Sequence, residues 1–137
     1  MRAAWVALPL AGRLAVALWV VLLVGVSVRV LASKPRSQTV VPIYLVAGER
    51  WLVGEALYPR EPGLDIYRYP PGFAAAISPL TFVSEKLAGV VWRLGSTAAF
   101  LLALWHFRRD AIPELSPNRA GAMFAIAAVL ALPAVNN

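Results

Sequence analysis

Two long apolar stretches and one shorter one alternate with polar segments along this chain. Residues 14–32 (LAVALWVVLLVGVSVRVLA) and residues 87–107 (LAGVVWRLGSTAAFLLALWHF) are each long enough, as helices, to cross a hydrocarbon core of about 30 Å. Residues 120–137 begin a third apolar helix, whose apolar part reaches only about 24 Å. The pattern predicts an all-α polytopic membrane protein with about three transmembrane helices, the third of them truncated.

The segment between the first two predicted spans, residues 33–86, is polar and rich in proline. Its prolines exclude one continuous helix. Within it, residues 42–57 start with a proline suited to a first helical turn and mix apolar with charged positions, which predicts a short interfacial helix. Residues 71–83 are apolar, but they are short for a span and are interrupted by Pro79. They predict a helix that enters the membrane edge or leads into the next span.

Basic residues predict how the chain crosses the membrane. Residues 1–13 and residues 108–119 carry arginines at positions 2, 13, 108, 109 and 119, and both segments lie on one side of the predicted spans. The positive-inside rule makes that side cytoplasmic. We therefore expect a cytoplasmic N-terminus and an extracytoplasmic loop over residues 33–86. The expected location is a bacterial inner membrane.

A cleaved signal peptide is the competing interpretation of the first apolar stretch. Arg2 supplies a charged start, and residues 30–32 resemble a small-residue cleavage site. The apolar core is longer than that of a usual signal peptide, however, and Arg29 would fall in its final turn. These features favour a retained membrane anchor.

Composition supports the membrane interpretation and excludes several soluble functions. The 137 residues are 60% hydrophobic and 15% charged, and the mean hydropathy is +0.68. The net charge of +6 reflects basic residues near span ends, since no basic run has the interleaved aromatic residues that nucleic-acid binding needs. The absence of cysteine excludes thiolate sites, and the single histidine, His106, excludes a multi-histidine metal site. No metal and no cofactor are predicted.

The most distinctive motif lies just before the second predicted span. Residues 67–71 read Tyr-Arg-Tyr-Pro-Pro and are followed by a short apolar helix. Tyr44 and Trp51 precede this motif, and Trp92 lies in the span after it. The order resembles the N-terminal part of glycosyltransferase family 87, which comprises mannosyltransferase-like membrane enzymes of the GT-C architecture that use polyprenyl-phosphate sugars. The resemblance extends over about residues 14–137, so the chain resembles a fragment or a truncated relative of such an enzyme.

The resemblance implies transfer of a hexose from a polyprenyl-phosphate carrier to an acceptor on the extracytoplasmic face. That chemistry needs a carboxylate to take the acceptor's proton and cationic groups to hold the departing phosphate. In the family the carboxylate lies shortly after the first span, whereas residues 33–41 contain no acid here. The nearest carboxylates are Glu49 and Asp65. Either is a candidate base, and spacing does not choose between them.

Candidate binding residues surround the same motif. The guanidinium of Arg68 can hold two phosphate oxygens at once, and the resemblance gives Tyr67, Tyr69 and Trp51 possible contacts with the donor. The alternative is an interfacial anchor, in which tyrosines lie at headgroup depth and the arginine extends to water. A rigid turn at the membrane boundary would serve both roles.

Two other functions compete with the glycosyltransferase. One is a small non-enzymatic membrane protein, an assembly or interaction subunit. The other is a transporter fragment in which Arg29 and Arg93, both inside predicted spans, bind substrate; otherwise these arginines extend to the outer interface. Three spans would not enclose both a carrier groove and an acceptor site, so we expect the chain alone to be inactive. The expected partners are the lipid bilayer and the lipid-linked donor.

Overall fold

A computed structural model describes residues 8–34, 40–60 and 63–136, and the regular structure within these ranges is entirely helical. The elements, in chain order, are α1 (Leu10–Ala32), α2 (Val40–Val53), α3 (Pro71–Ile77), a 3-10 helix (Ser78–Phe82), α4 (Glu85–Ala111) and α5 (Pro117–Asn136). The predicted all-α fold class is confirmed for the described residues.

Helices α1 and α4 are long and apolar enough to cross a membrane, with 23 and 27 residues. They carry outward-facing apolar side chains such as Val21, which is 70% exposed, and Leu102, which is 61% exposed. The apolar part of α5 covers only Pro117–Leu132. Two such helices fit a membrane protein. The third span and the orientation of the chain stay predictions.

The two helices predicted in the polar segment are shorter than expected. Helix α2 ends at Val53, before the expected residue 57. The next residue, Gly54, has a φ of +73°, a backbone conformation that favours glycine and cannot continue an α-helix. The apolar stretch 71–83 forms two pieces rather than one helix. Pro71 occupies the first turn of α3, and Pro79 lies in the first turn of the 3-10 helix that follows.

The chain divides into two compact units, each described by itself. The described residues between positions 29 and 92 form the first, termed the loop unit. In it Tyr44 and Ala47 on α2 share a buried core with Tyr67, Ala74 and Ile77. Gly48 lets α3 and the 3-10 helix approach α2 closely, since a Cβ there would lie 3.1 Å from the Ser78 Cα.

Among the described residues, 8–28 and 93–136 form the second unit, termed the bundle unit. Helices α1 and α5 meet at small residues: a Cβ on Gly121 would lie 2.5 Å from the backbone nitrogen of Gly12 and 2.6 Å from the carbonyl carbon of Ala11. About two turns further along α1 and one turn further along α5, the Trp19 indole Nε1 donates a 3.0 Å hydrogen bond to the Phe124 carbonyl. Close backbone approach at small residues is typical of helix pairs in membranes.

Candidate functional site

An aromatic cluster in the loop unit surrounds the distinctive motif. It is termed the tyrosine cluster and comprises Tyr44, Tyr58, Tyr67, Tyr69, Phe73 and Trp92. Its centre is Tyr44, which is only 6% exposed because it lies on the buried face of α2. The Tyr44 ring makes edge contacts with Tyr69, Phe73 and Trp92 at centroid distances of 5.2, 4.9 and 5.2 Å. Such contacts contribute beyond the area they bury and favour one arrangement of the rings.

Three tyrosine hydroxyls hold the motif, two through its backbone carbonyls and one through the Tyr69 side chain. Tyr44 donates to the Tyr69 hydroxyl at 3.0 Å, and Tyr67 donates to the Pro70 carbonyl at 3.0 Å. Tyr58 donates to the Tyr69 carbonyl at 3.1 Å. The turn over residues 67–70 is therefore held both by its own side chains and by α2.

The two buried phenols in this cluster are held in their neutral form. Burial, followed by the hydrogen bond to Tyr69, raises the pKa of Tyr44 well above the ordinary tyrosine value. Burial also raises the pKa of Tyr67, whose ring lies 5.8 Å from that of Tyr58. Both hydroxyls stay hydrogen-bond donors at physiological pH, so their role in the structure is to fix the turn.

Arg68 points away from this fixed framework. It follows the buried Tyr67, and its own side chain is exposed. Within the described ranges its guanidinium makes no hydrogen bond and no ion pair. The structure thus presents a cation with its donors unused on a turn that its neighbours hold in place. A phosphate can accept two of those donors at once.

The two candidate carboxylates lie in different surroundings. Asp65 is exposed and lines a small cleft of about 10 Å³ together with Tyr67 and Arg50. Arg50 also donates from Nη1 to the Ala56 carbonyl at 3.0 Å. Glu49 is exposed on α2 and does not line this cleft. Asp65, unlike Glu49, therefore lies beside a residue of the tyrosine cluster.

Of the remaining predicted site residues, two belong to the tyrosine cluster and one does not. Tyr67 and Tyr69 lie together, with ring centroids 5.8 Å apart. Trp51 is 45% exposed near the end of α2 and makes no ring contact with the tyrosine cluster in the described part of the chain. Among the described residues, no group of three or more His, Cys, Asp or Glu side chains is placed to hold a metal ion.

Sequence reasoning did not select Tyr44, Phe73 or Trp92 as site residues. The sequence pattern that could have identified Tyr44 is the helical spacing of Tyr44, Ala47 and Gly48, which places one aromatic and two small residues on the same helix face. Partners distant in sequence complete the cluster, and spacing along the chain does not identify them.

The two arginines inside the predicted spans also behave differently from each other. Arg93 on α4 is only 7% exposed, and Thr97, one turn later, is 5% exposed. The prediction that Arg93 extends to the outer interface is therefore wrong, because its side chain is enclosed by protein. Arg29 on α1 is exposed, as an arginine that extends outward would be.

The family model of glycosyltransferase family 87 matches residues 67–137, just over half of the chain. The match begins at Tyr67, the first residue of the Tyr-Arg-Tyr-Pro-Pro motif. The chain belongs to glycosyltransferase family 87. The predicted family is thus confirmed. The match covers a shorter part of this family 87 protein than the expected residues 14–137. Comparisons with curated proteins and with solved structures give no match.

Proposed function

We propose that this family 87 protein takes part in transferring a hexose from a polyprenyl-phosphate carrier to an acceptor at the extracytoplasmic face of a membrane. One observation supports the proposal: the family match starts at Tyr67, on the turn that the tyrosines hold. Arg68, which has no partner among the described residues, follows directly. Family membership favours this function over a transporter or a non-enzymatic subunit.

The proposed location of the site follows from the helices and the charges. Helices α1 and α4 fit membrane spans, and the loop unit contains most of the polar segment between them. The basic residues at 108, 109 and 119 favour the cytoplasm for the opposite end of α4. In a bacterial inner membrane this topology gives Arg68 access to donors in the outer leaflet.

Arg68 is proposed to bind the phosphate of the donor. Its two outer nitrogens match two phosphate oxygens, and it has no competing partner among the described residues. As the bond between the anomeric carbon and the phosphate oxygen breaks, that oxygen gains negative charge. A guanidinium carried on a turn that is held in place stabilises this charge more than it stabilises the bound donor, which is the condition for catalysis.

Asp65 is proposed as the base. It lies three residues before Arg68 and beside Tyr67, whereas Glu49 lies on α2 outside this cleft. In the transfer step the acceptor hydroxyl oxygen attacks the anomeric carbon, and its proton moves to the carboxylate. The bonding electrons leave with the polyprenyl phosphate. The exposed rings of Tyr69, Tyr58 and Trp51 are proposed to contact the sugar.

The test is sugar transfer from a radiolabelled polyprenyl-phosphate donor in membranes of cells that express the full gene with Asp65→Asn or Glu49→Gln. Loss of a general base lowers the rate roughly 100-fold or more. We expect that loss for Asp65→Asn and a rate near wild type for Glu49→Gln, which is the matched control. A wild-type rate in both variants would remove both carboxylates from the mechanism. A loss confined to Glu49→Gln would transfer the role to Glu49.

A further inference from the structure

The bundle unit contains an apolar groove that the proposed transfer reaction does not use. Helices α1, α4 and α5 all contribute to its walls, and its volume is about 570 Å³. Trp19 and Val16 line it from α1, Leu101 from α4 and Phe124 from α5. The groove is large enough for an extended hydrocarbon chain rather than for a few water molecules.

The length of the groove fits one leaflet of a bilayer. Its α1 wall includes residues from Gly12 to Leu23, which rise about 16 Å along the helix. Half of a typical hydrocarbon core is about 15 Å. An acyl chain lying along α1 would therefore extend from the headgroup level to about the middle of the membrane.

Arg108 gives the groove a polar end. It is the only charged side chain among the described residues that line the groove. Its Nη2 donates a long, 3.4 Å hydrogen bond to the Leu115 carbonyl. Its Nε is buried and has no hydrogen-bond acceptor in the described part of the chain. A buried donor without an acceptor costs free energy. An oxygen atom from a bound molecule could accept a hydrogen bond from this Nε–H group and remove that cost.

Charge at this end favours an anion as the source of that oxygen. Arg108 lies at the basic end of α4, next to Arg109, and Pro117 of the groove wall begins α5. The first backbone N–H groups of a helix carry partial positive charge, which adds to that of the guanidinium. A phosphodiester with an attached acyl chain can pair with the guanidinium and pack against the apolar walls at the same time. A neutral lipid can only pack against the walls.

We propose that this groove binds one anionic glycerophospholipid, with an acyl chain along α1 past Trp19 and its phosphate on Arg108. In the predicted topology the headgroup belongs to the cytoplasmic leaflet. The ligand is therefore distinct from the donor proposed for Arg68, and the inference does not depend on the transfer reaction.

The test places the full chain in phosphatidylcholine vesicles that contain a minor fraction of lipid brominated on its acyl chains. Bromine quenches nearby tryptophan, and the difference in quenching between wild type and Trp19→Phe isolates Trp19. We expect brominated phosphatidylglycerol to quench Trp19 at about one fifth of the concentration that brominated phosphatidylcholine needs. A factor of about five is the preference that one arginine gives for an anionic headgroup.

Two variants locate the preference. Arg108→Gln should abolish the fivefold difference between the lipids, because it removes the cation at the end of the groove. Arg109→Gln is the matched control: it removes the same charge one residue away, from an exposed side chain that faces Asp110 and Trp105. It should keep the difference. Equal losses in the two variants would indicate a general surface charge effect and overturn the proposal.

A second measurement covers the case in which Arg108→Gln does not fold. Val16→Phe fills the groove while leaving Arg108 in place, and native mass spectrometry counts the phosphatidylglycerol that stays bound to the detergent-purified protein. We expect one tightly held lipid in wild type and none in Val16→Phe. No retained lipid in wild type, or no quenching of Trp19 by either brominated lipid, would show that something other than a lipid covers the groove.

Discussion

The hydroxyl of Tyr44 on α2 donates a 3.0 Å hydrogen bond to the hydroxyl of Tyr69, 25 residues later in the chain. This bond links a helix to the turn that carries Arg68. The Tyr44 ring also contacts Phe73 and Trp92, so one buried side chain joins α2, α3 and α4 within the loop unit. The position of the turn therefore depends on Tyr44.

Replacing Tyr44 with phenylalanine keeps the ring contacts and removes the hydrogen bond. We expect the free energy of unfolding to fall by about 1 kcal/mol, the net contribution of one such bond. Thermal unfolding of the purified protein in detergent, followed by circular dichroism, measures the change. Tyr58→Phe is the control, since Tyr58 is 52% exposed and water replaces its lost partner. A Tyr44→Phe protein as stable as wild type would show that the bond does not hold the turn.

Alkaline pH should destabilise the loop unit through the same residue. The pKa of Tyr44 is raised above the ordinary 10.0, so the unfolded chain loses this proton at lower pH than the folded one. The stabilisation is fully present below pH 10.0 and is lost as pH rises above it. We predict that unfolding free energy falls above this pH, and that Tyr44→Phe reduces the fall. An identical pH dependence in the variant would contradict the raised pKa.

Gly121 should tolerate no side chain, because a Cβ there meets the backbone of Gly12 and Ala11 at 2.5 to 2.6 Å. We expect Gly121→Ala to destabilise the bundle unit by about 1–3 kcal/mol, as overpacking does. Gly95→Ala is the control, because nothing lies within 4 Å of its Cβ position inside α4. That change should stabilise the helix by up to about 1 kcal/mol. Equal thermal stability of the two variants would show that α1 and α5 do not approach closely at Gly121.

The proposed orientation can be tested because the natural chain contains no cysteine. An Arg68→Cys variant in intact cells should react with a membrane-impermeant thiol reagent, since the side chain is exposed and belongs to the predicted outer loop. An Arg109→Cys variant should react only after the membrane is permeabilised. The reverse pattern would invert the topology.

The sequence predicted the helical fold and the family because both depend on local patterns. Apolar length identified α1 and α4, and the motif at residues 67–71 identified the family. The ends of α2 were less predictable: the helix begins at Val40 rather than at Pro42, and it ends at Val53, before Gly54, rather than at the expected Leu57. The tyrosine cluster and the burial of Arg93 depend on side chains from separate helices, and apolar periodicity does not determine which of them meet.

The most direct test of the proposed phosphate site is donor turnover in an Arg68→Gln variant. The assay measures radiolabelled sugar transfer, as a function of polyprenyl-phosphate donor concentration, in membranes of cells that express the full gene. Loss of a charge-assisted hydrogen bond costs about 1.5–3 kcal/mol, so we predict that kcat/KM for the donor falls roughly 10- to 100-fold. Arg60→Gln, which removes an exposed cation from the same segment, should leave kcat/KM near wild type. A wild-type value for Arg68→Gln, or an equal loss in Arg60→Gln, would contradict a phosphate site at Arg68.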